Sequence, residues 1–522
     1  MMQQRIDTGM DMFNKYIERS DMGKKTYQYD GVKWLLQNEL SYDLPCGVRG
    51  GFVADEMGLG KTIMMIGLCI ANFMHKRKTL IVVPPVLIDQ WYAQIYRTTG
   101  HRCAVYHGLK KKHFEKQSLE QEGAENVFAG AVIVLCSYDA ISVFREKKGK
   151  TSKQFGSENT KTQKQVEDSL LHKIQWGRVI FDEAHHLRNK STTRYVGAKL
   201  LRADIKWLVS GTPVQNKKQD FHALCSLIQL PASYYTNPEN LVELTESFIL
   251  KRTKKQVGID LIDASQDKVV VPWKTTAEKK LSEEIHSLIA FTNVKRVDGD
   301  GDGDGDAGGV DNVNNNKILL SLLMKARQSC IYPKMLYKNE KNTNNISNIV
   351  PSSSKLDSVV EAILERKNNG NGKLVFCHFK DEMNEIASRL RVDDVDGLGS
   401  GLNVAILDGS LSKSMRKKIL DEKKDVLILQ IQTGCEGLNL QDNYNEVYFV
   451  SPHWNPYVED QAVARCHRIG QKKEVFVWRF EMDNFGMNIL QDGNVIPTKN
   501  LEEYVMDIQN NKRNIVSKII VE

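Results

Sequence analysis

No two of the nine cysteines are spaced as a Cys-x-x-Cys pair. That excludes zinc ribbons and RING modules, which need such pairs. An odd number of scattered thiols fits reduced cysteines in an intracellular protein. No run of about 18 apolar residues occurs, so no membrane span is expected. Residues 1–20 are polar and charged and lack the apolar segment of a signal peptide. Charge of one sign is not in large excess either. Lys plus Arg is 72 and Asp plus Glu is 65, a net +7, which permits a polyanionic partner without establishing one. What is present is ordinary for a globular chain: 41% hydrophobic and 26% charged over 522 residues. At roughly 100–200 residues per domain, that length is enough for about three domains.

Two regions alternate short apolar runs with amphipathic stretches. The first has Leu80–Val83, Ala131–Cys136, Val179–Phe181 and Trp207–Val209. The second has Leu374–Cys377, Val404–Leu407, Val426–Leu429, Val447–Val450 and Val475–Trp478. Short buried strands separated by helices imply tandem parallel-sheet α/β domains with a cleft between them. The expected division is an N-terminal extension (1–23), a first lobe (24–230), a helical inter-lobe region (231–349), a second lobe (350–482) and a C-terminal tail (483–522). Residues 298–306 alternate Asp with Gly, and 312–316 are mostly Asn; such a segment buries no core and reads as a flexible linker. Asp300, Asp302, Asp304 and Gly305 have calcium-loop offsets, but the twelfth position is Asp311 rather than Glu, so the linker reading is preferred. Residues 145–164 hold seven basic and two acidic side chains and read as an exposed loop, with contact to nucleic acid as the alternative.

The most informative segment is Asp55-Glu56-Met57-Gly58-Leu59-Gly60-Lys61-Thr62, between the strand-like Gly51–Ala54 and the apolar run Ile63–Ala71. Strand, glycine-rich loop and helix make a phosphate-binding loop: glycines let backbone N–H groups approach phosphate oxygens, and the helix N-terminus favours negative charge. Lys61 would reach the β- and γ-phosphates and Thr62 would ligate Mg²⁺. Asp55 stands where the strict pattern has its first glycine. Arg178–Phe181 reads as a buried strand ending in Asp182-Glu183-Ala184-His185. There Asp182 can hold Mg²⁺ while Glu183 orients and deprotonates water. Ser210-Gly211-Thr212-Pro213 follows a third strand, and its hydroxyls could bond to that acidic tetrad.

Trp454-Asn455-Pro456 and the run Gln461-Ala462-Val463-Ala464-Arg465-Cys466-His467-Arg468-Ile469-Gly470-Gln471 resemble the sixth motif of Swi/Snf-type ATPases, a branch of helicase superfamily two. Other pieces follow in that family's order. Tyr27-Gln28 with Gly31 and Trp34-Leu35 resembles its adenine-reading motif, and Val83-Pro84-Pro85 with Gln90-Trp91 its motif Ia. Asn216 extends the third motif, Arg252-Thr253-Lys254 resembles its inter-lobe basic segment, and Asp408-Gly409-Ser410 and Gly437-Leu438-Asn439-Leu440 fit its second lobe. The chain departs from the family at Gly434-Cys435-Glu436, where members usually have two adjacent glycines.

The resemblance implies two RecA-like domains of the P-loop NTPase fold that bind ATP and Mg²⁺ and move along double-stranded DNA. DNA-bound proteins or nucleosomes are further candidate partners, and a nuclear or viral replication site is the expected setting. A strand-separating DNA or RNA helicase is the alternative. A compact core without reader segments also resembles the stripped versions carried by large DNA viruses. The nucleotide would be held by Gln28, Asp55, Gly58, Gly60, Lys61, Thr62 and Gly437. Arg465 and Arg468, three apart and on one face if helical, would meet the γ-phosphate from the other lobe. Nucleic-acid contacts would come from Pro84, Gln90, Ser137, Tyr138, Lys254, Thr433, Asn439 and Trp454. His185, Ser210, Gly211, Thr212 and Gln461 would couple the two sites.

Overall fold

The structure is a computed structural model that describes residues 2–20, 22–73, 78–120, 126–128, 130–143, 169–211, 218–289, 310–337, 353–391, 401–434, 437–486, 488–491, 494–497 and 499–520. The chain divides into two compact units, 1–260 with 514–522, and 261–513.

The first unit is built on a seven-stranded sheet in the order β3-β4-β2-β5-β6-β1-β7, parallel at every pairing. The strands are β1 (Gly50–Val53), β2 (Thr79–Val83), β3 (Ala104–Tyr106), β4 (Ile133–Ser137), β5 (Trp176–Asp182), β6 (Ala203–Val209) and β7 (Ile249–Leu250). Their apolar runs are buried on both faces, as parallel sheets require. Along β2, Leu80 and Val82 enter one core while Ile81 and Val83 enter the other, the two-residue period of a strand. The second face is covered by α1 (Met2–Arg19), α2 (Thr26–Leu40), α3 (Lys61–Ala71) and α4 (Ile88–Thr99). Beneath them Arg178 of β5 forks onto Glu39 of α2, both fully buried. Trp207 and Asn72 donate to the same carboxylate at 2.9 and 2.6 Å. A buried ion pair is tolerated only with its remaining valences satisfied.

The second unit carries a six-stranded sheet, order β10-β11-β9-β12-β13-β8, again parallel throughout. Its strands are β8 (Ala264–Val271), β9 (Lys373–Cys377), β10 (Val404–Leu407), β11 (Val426–Gln430), β12 (Glu446–Phe449) and β13 (Val475–Met482). Packed around it are α5 (Thr276–Ser287), α6 (Val310–Ile331), α7 (Ser354–Glu365), α8 (Lys380–Leu390), α9 (Pro456–Val463) and α10 (Leu501–Ile520).

Three boundaries differ from expectation. Residues 1–23 are not a separate extension: Ile6, Met10, Phe13 and Ile17 fall on one face of α1 and are buried in the first core. Gly9 and Gly67 permit that approach, because a Cβ at Gly9 would lie 2.4 Å from the Ala71 carbonyl and one at Gly67 2.6 Å from the Phe13 ring. The span 231–349 is not one helical region. It gives β7 to the first sheet and β8 to the second, its Val-rich run completing an open edge. The residues after 482 include α10, which is packed into the second unit. Lys355 of α7 is fully buried and needs a counter-ion, which Glu502 of α10 supplies at 2.8 Å. The Leu501 N–H donates to His286 at 3.0 Å, and Arg513 forks onto Asp460 at 2.9 Å. The Asp/Gly/Asn run and the basic stretch 145–164 lie outside the described residues, except that 312–316 fall within α6.

Candidate functional site

Strand register brings the first unit's site together. Val53 pairs with Val209, and Val209 with Asp182. The loop after β1, Ser210 after β6 and the acidic pair ending β5 therefore emerge side by side at the carboxyl edge of the sheet, where ligands bind in open α/β folds. The loop after β1 turns through Gly58 (φ 92°) and Gly60 (φ 79°) into the first turn of α3. Gly60 has two reasons to be glycine: its φ is left-handed, and a Cβ there would sit 2.2 Å from the Gln28 amide. Gln28, buried, donates from Nε2 to the Leu59 carbonyl at 3.2 Å. The residue expected to read a nucleobase is thus already fastened to the phosphate loop.

Lys61 Nζ donates to the carbonyls of Asp55 (2.7 Å) and Glu56 (3.4 Å). Burial lowers its pKa, while Glu183, Asp55, Asp182 and Glu56 pull the other way. An ammonium whose bonds go to its own loop's carbonyls can exchange them for phosphate oxygens. Asp182 is buried; burial, then the neighbouring Glu183, push its carboxyl up to about 7. The Trp91 indole N–H donates to its Oδ2 at 2.7 Å and the Glu183 N–H to its Oδ1 at 3.0 Å. A carboxylate held away from its ordinary ionisation beside a second carboxylate is a donor set suited to Mg²⁺, and Thr62, which follows Lys61 in the first turn of α3, is the hydroxyl expected to join it. Glu183 has φ 52° and ψ 49°, a left-handed conformation costly for a residue with a side chain. Such strain is characteristic of catalytic positions. His185 Nδ1 lies 3.3 Å from Glu183 Oε2, and its ring stacks on His186 at 4.6 Å.

Asp55 carries a different role from the one its position suggested. It is fully buried and accepts the fork of Arg252, Nε at 3.1 Å and Nη2 at 2.5 Å. It therefore braces the loop rather than facing a ligand. The sequence singled out Arg252 only as part of a basic segment, and Trp91 only as part of a motif. The signals that could have found them were the carboxylate standing where the loop pattern has glycine, and an indole N–H that needs a partner when buried.

In the second unit α9 ends at Val463, so Arg465 and Arg468 lie not on a helix but on the turn that follows. Gln471 Nε2 donates to the carbonyls of Gln441, Tyr444 and Cys466, each at 3.1 Å, and the Leu440 N–H donates to the Arg465 carbonyl at 3.0 Å. These bonds replace the helical ones. Arg468 donates to Asn439; its pKa is lowered by burial first and the Arg465 guanidinium second. Two neighbouring guanidiniums without an ion pair among the described residues suit an anion. Gly437, at φ 74°, opens the adjoining loop. Gln461 is buried on α9.

The expected nucleic-acid contacts divide. Gln90 and Asn439 are exposed and Pro84 is buried at the end of β2. Ser137 and Tyr138 are buried, and the Tyr138 hydroxyl donates to the Asp182 carbonyl at 2.7 Å, so it supports the acidic pair from beneath. Lys254 is buried and paired with Glu56 at 3.1 Å. Trp454 packs on Tyr504 of α10 and under the Arg327 guanidinium. These four are engaged inside the protein rather than presented to phosphates. Ser210 is buried and its N–H donates to the Val53 carbonyl at 3.1 Å, and a Cβ on Gly211 would lie 3.4 Å from Lys61 Nζ. Thr212 and Asn216 lie outside the described residues, as does the side chain of Thr433.

A phosphate loop and an acidic pair at the edge of one parallel sheet, followed by a second parallel-sheet domain bearing paired arginines, define a helicase-type ATPase. Residues 27–238 match the family model described as SNF2-related domain, and residues 354–470 that described as helicase conserved C-terminal domain. The chain belongs to the Swi/Snf-type family of helicase-like ATPases. It is 26% identical over 514 residues to a probable global transactivator of Orgyia pseudotsugata multicapsid polyhedrosis virus, covering 94% of this chain and 90% of that one. It is 25% identical to an uncharacterized ATP-dependent helicase of Mycoplasma pneumoniae, covering 99% of this chain but 44% of that protein. It is 27% identical to human chromodomain-helicase-DNA-binding protein 7, covering 87% of this chain and 15% of that protein. The chain thus spans less than half the length of the last two. Among solved structures, a Sulfolobus solfataricus SWI2/SNF2 ATPase core in complex with dsDNA matches 95% of this chain and 93% of its own at 22% identity and a TM-score of 0.38. No helix among the described residues is long and apolar enough to cross a membrane.

Proposed function

We propose that the chain is a DNA-stimulated ATPase that moves along double-stranded DNA without separating its strands, with DNA-bound proteins or nucleosomes as the objects it acts on. The observation that carries this is the side-by-side placement of the Lys61 loop and Asp182-Glu183 at the carboxyl edge of one sheet. Support comes from relatives named as helicases, one of them also as DNA-binding.

In this reading Lys61 releases the loop carbonyls and takes up the β- and γ-phosphate oxygens, which also bond the N–H groups of the glycine loop. Gln28 reads the base. Thr62 and Asp182 hold Mg²⁺, which neutralises phosphate charge. Glu183 takes the proton of the attacking water. Arg465 and Arg468 close onto the γ-phosphate and are released after hydrolysis, so that closure and opening of the lobes advance the grip on the DNA backbone. Gln90 and Asn439 are the exposed residues assigned to phosphate contact, which makes recognition independent of sequence and steeply salt-dependent.

The test is phosphate release measured with no nucleic acid, duplex DNA, single-stranded DNA, RNA and nucleosomes, beside strand displacement from a forked duplex. The expected result is stimulation greatest with duplex or nucleosomal DNA, abolished by Lys61→Ala and by Glu183→Gln, with no displacement. Efficient unwinding, or wild-type turnover by either variant, overturns the proposal.

A further inference from the structure

The phosphate loop is zipped to a segment nearly two hundred residues away in sequence. The Ala54 N–H donates to the Leu250 carbonyl at 2.8 Å and the Glu56 N–H to the Arg252 carbonyl at 2.9 Å. Lys254 returns two contacts to Glu56, its N–H at 2.8 Å and its ammonium at 3.1 Å. At the centre of this ladder Arg252 spends its donors in two directions. Nε and Nη2 grip the buried carboxylate of Asp55, and Nη1 donates to the Tyr27 carbonyl at 2.6 Å. Tyr27 immediately precedes Gln28 in the first turn of α2. Nη2 also lies 3.3 Å from the Met64 sulfur on α3. The guanidinium is inserted closely enough that a Cβ on Gly31 would come within 2.8 Å of it.

We propose that Arg252 is a positioning residue that sets the distance between the base-reading segment at Gln28 and the phosphate loop at Asp55–Lys61, and so determines selectivity for adenine nucleotides. The physical argument is one of rigidity. Base and triphosphate of one nucleotide are a fixed length apart. A site that recognises both ends discriminates among bases only if its two ends are locked together. Here the lock is one planar fork whose five donors match a carboxylate on one side and a backbone carbonyl on the other, a task an ammonium cannot perform. The Gln28 bond to the Leu59 carbonyl is the second tie between the same two segments, and it becomes available for exchange only while Arg252 holds the frame.

This rests on the ATPase reading above, and the experiment separates the two. Steady-state hydrolysis of ATP and of GTP, with duplex DNA, is compared among the wild type, Arg252→Lys, Arg252→Ala and the charge-free pair Arg252→Gln with Asp55→Asn. Thermal melting is recorded for each. The pair keeps hydrogen-bonding side chains at both positions without leaving a buried charge, so it reports on positioning where Arg252→Ala alone fails to fold. The expected result is a KM for ATP raised roughly ten- to a hundredfold in folded variants, a smaller fall in kcat, and a kcat/KM preference for ATP over GTP that collapses toward unity. Free guanidinium added to Arg252→Ala restores part of the preference. A wild type that hydrolyses ATP through Lys61 yet does not prefer it to GTP overturns the inference. So do folded Arg252 variants with unchanged KM and preference, whatever their melting temperature. Absence of hydrolysis in the wild type overturns the ATPase reading instead.

Discussion

Replacing Trp91 by Phe removes one hydrogen bond and little else from the acidic pair, and its consequence can be worked through. The indole N–H sits 2.7 Å from Asp182 Oδ2 and is lost in the variant. Both groups are buried, so no bulk water replaces it freely. A hydrogen bond to an ionised group is worth roughly 1.5–3 kcal/mol, which at about 1.4 kcal/mol per pKa unit raises the Asp182 carboxyl by about one to two units. In the wild type that carboxyl is already pushed up to about 7 by burial and by Glu183. Losing the indole donor pushes it further the same way, so less of it is ionised near pH 7 in Trp91→Phe. The kcat/KM at neutral pH therefore falls by up to about 10- to 100-fold, the same one to two units, and recovers as the pH is raised, because kcat/KM follows ionisation in the free enzyme. The assay is DNA-stimulated phosphate release from pH 5.5 to 9.5, with melting recorded alongside to isolate the packing loss of the smaller ring. A loss equal at pH 7 and 9.5, or an acid limb that does not move, refutes the assignment of Trp91 as the group that keeps Asp182 ionised.

The strained backbone of Glu183 makes Glu183→Asn a stabilising change of about 0.5–1 kcal/mol, since Asn tolerates left-handed conformations. Its melting temperature should rise while phosphate release is lost, and a drop in melting temperature counts against strain at that position. Burial holds the His286 pKa down at about 4, as it does that of His453, below the ordinary value of 6.5. Such groups contribute stability that is complete above about pH 6.5 and is lost as pH falls toward their folded values, because only the unfolded chain binds the proton there. Denaturant melts of the second domain should show a stability loss of a few kcal/mol between pH 7 and 5, reduced in His286→Asn; a flat profile contradicts this. Lys355→Met strands the buried Glu502 carboxylate and should cost about 3–5 kcal/mol, most of it recovered in the pair Lys355→Met with Glu502→Leu. Failure of the second change to rescue would show that α10 is held chiefly by other contacts.

The central strands of both sheets were legible because buried parallel strands are nearly continuous apolar runs, as at Leu80–Val83 and Val426–Leu429. The candidate site was legible for the same local reason, its glycines, Lys61 and Asp182-Glu183 being short, contiguous and chemically distinctive, and strand register brings them to one sheet edge. What sequence could not display was pairing at long range. Strand β8 is as polar as a loop over Ser265–Lys268 and becomes a strand only because β13 leaves an edge open. The helix α1 carried its own signal, since Ile6, Met10, Phe13 and Ile17 are spaced four, three and four apart, the stripe of an amphipathic helix; what the sequence does not display is the core that the stripe packs against. Asp55 was assigned to nucleotide because its partner Arg252 lies far along the chain. The spacing of the sixth-motif arginines puts them on one face only if the segment is helical, and the three carbonyls that accept from Gln471 decide a turn instead.

The seating of α10 also has a temporal side. A ribosome making this chain releases Lys355 147 residues before Glu502, so the ammonium must wait in a half-built interior for its carboxylate. The first unit's sheet can mature as it emerges, whereas the second unit stays open to chaperones, proteases and self-association until α10 has been made. Stop codons or fusions falling shortly before residue 501 should therefore yield a chain with one finished half and one sticky half, rather than a trimmed enzyme.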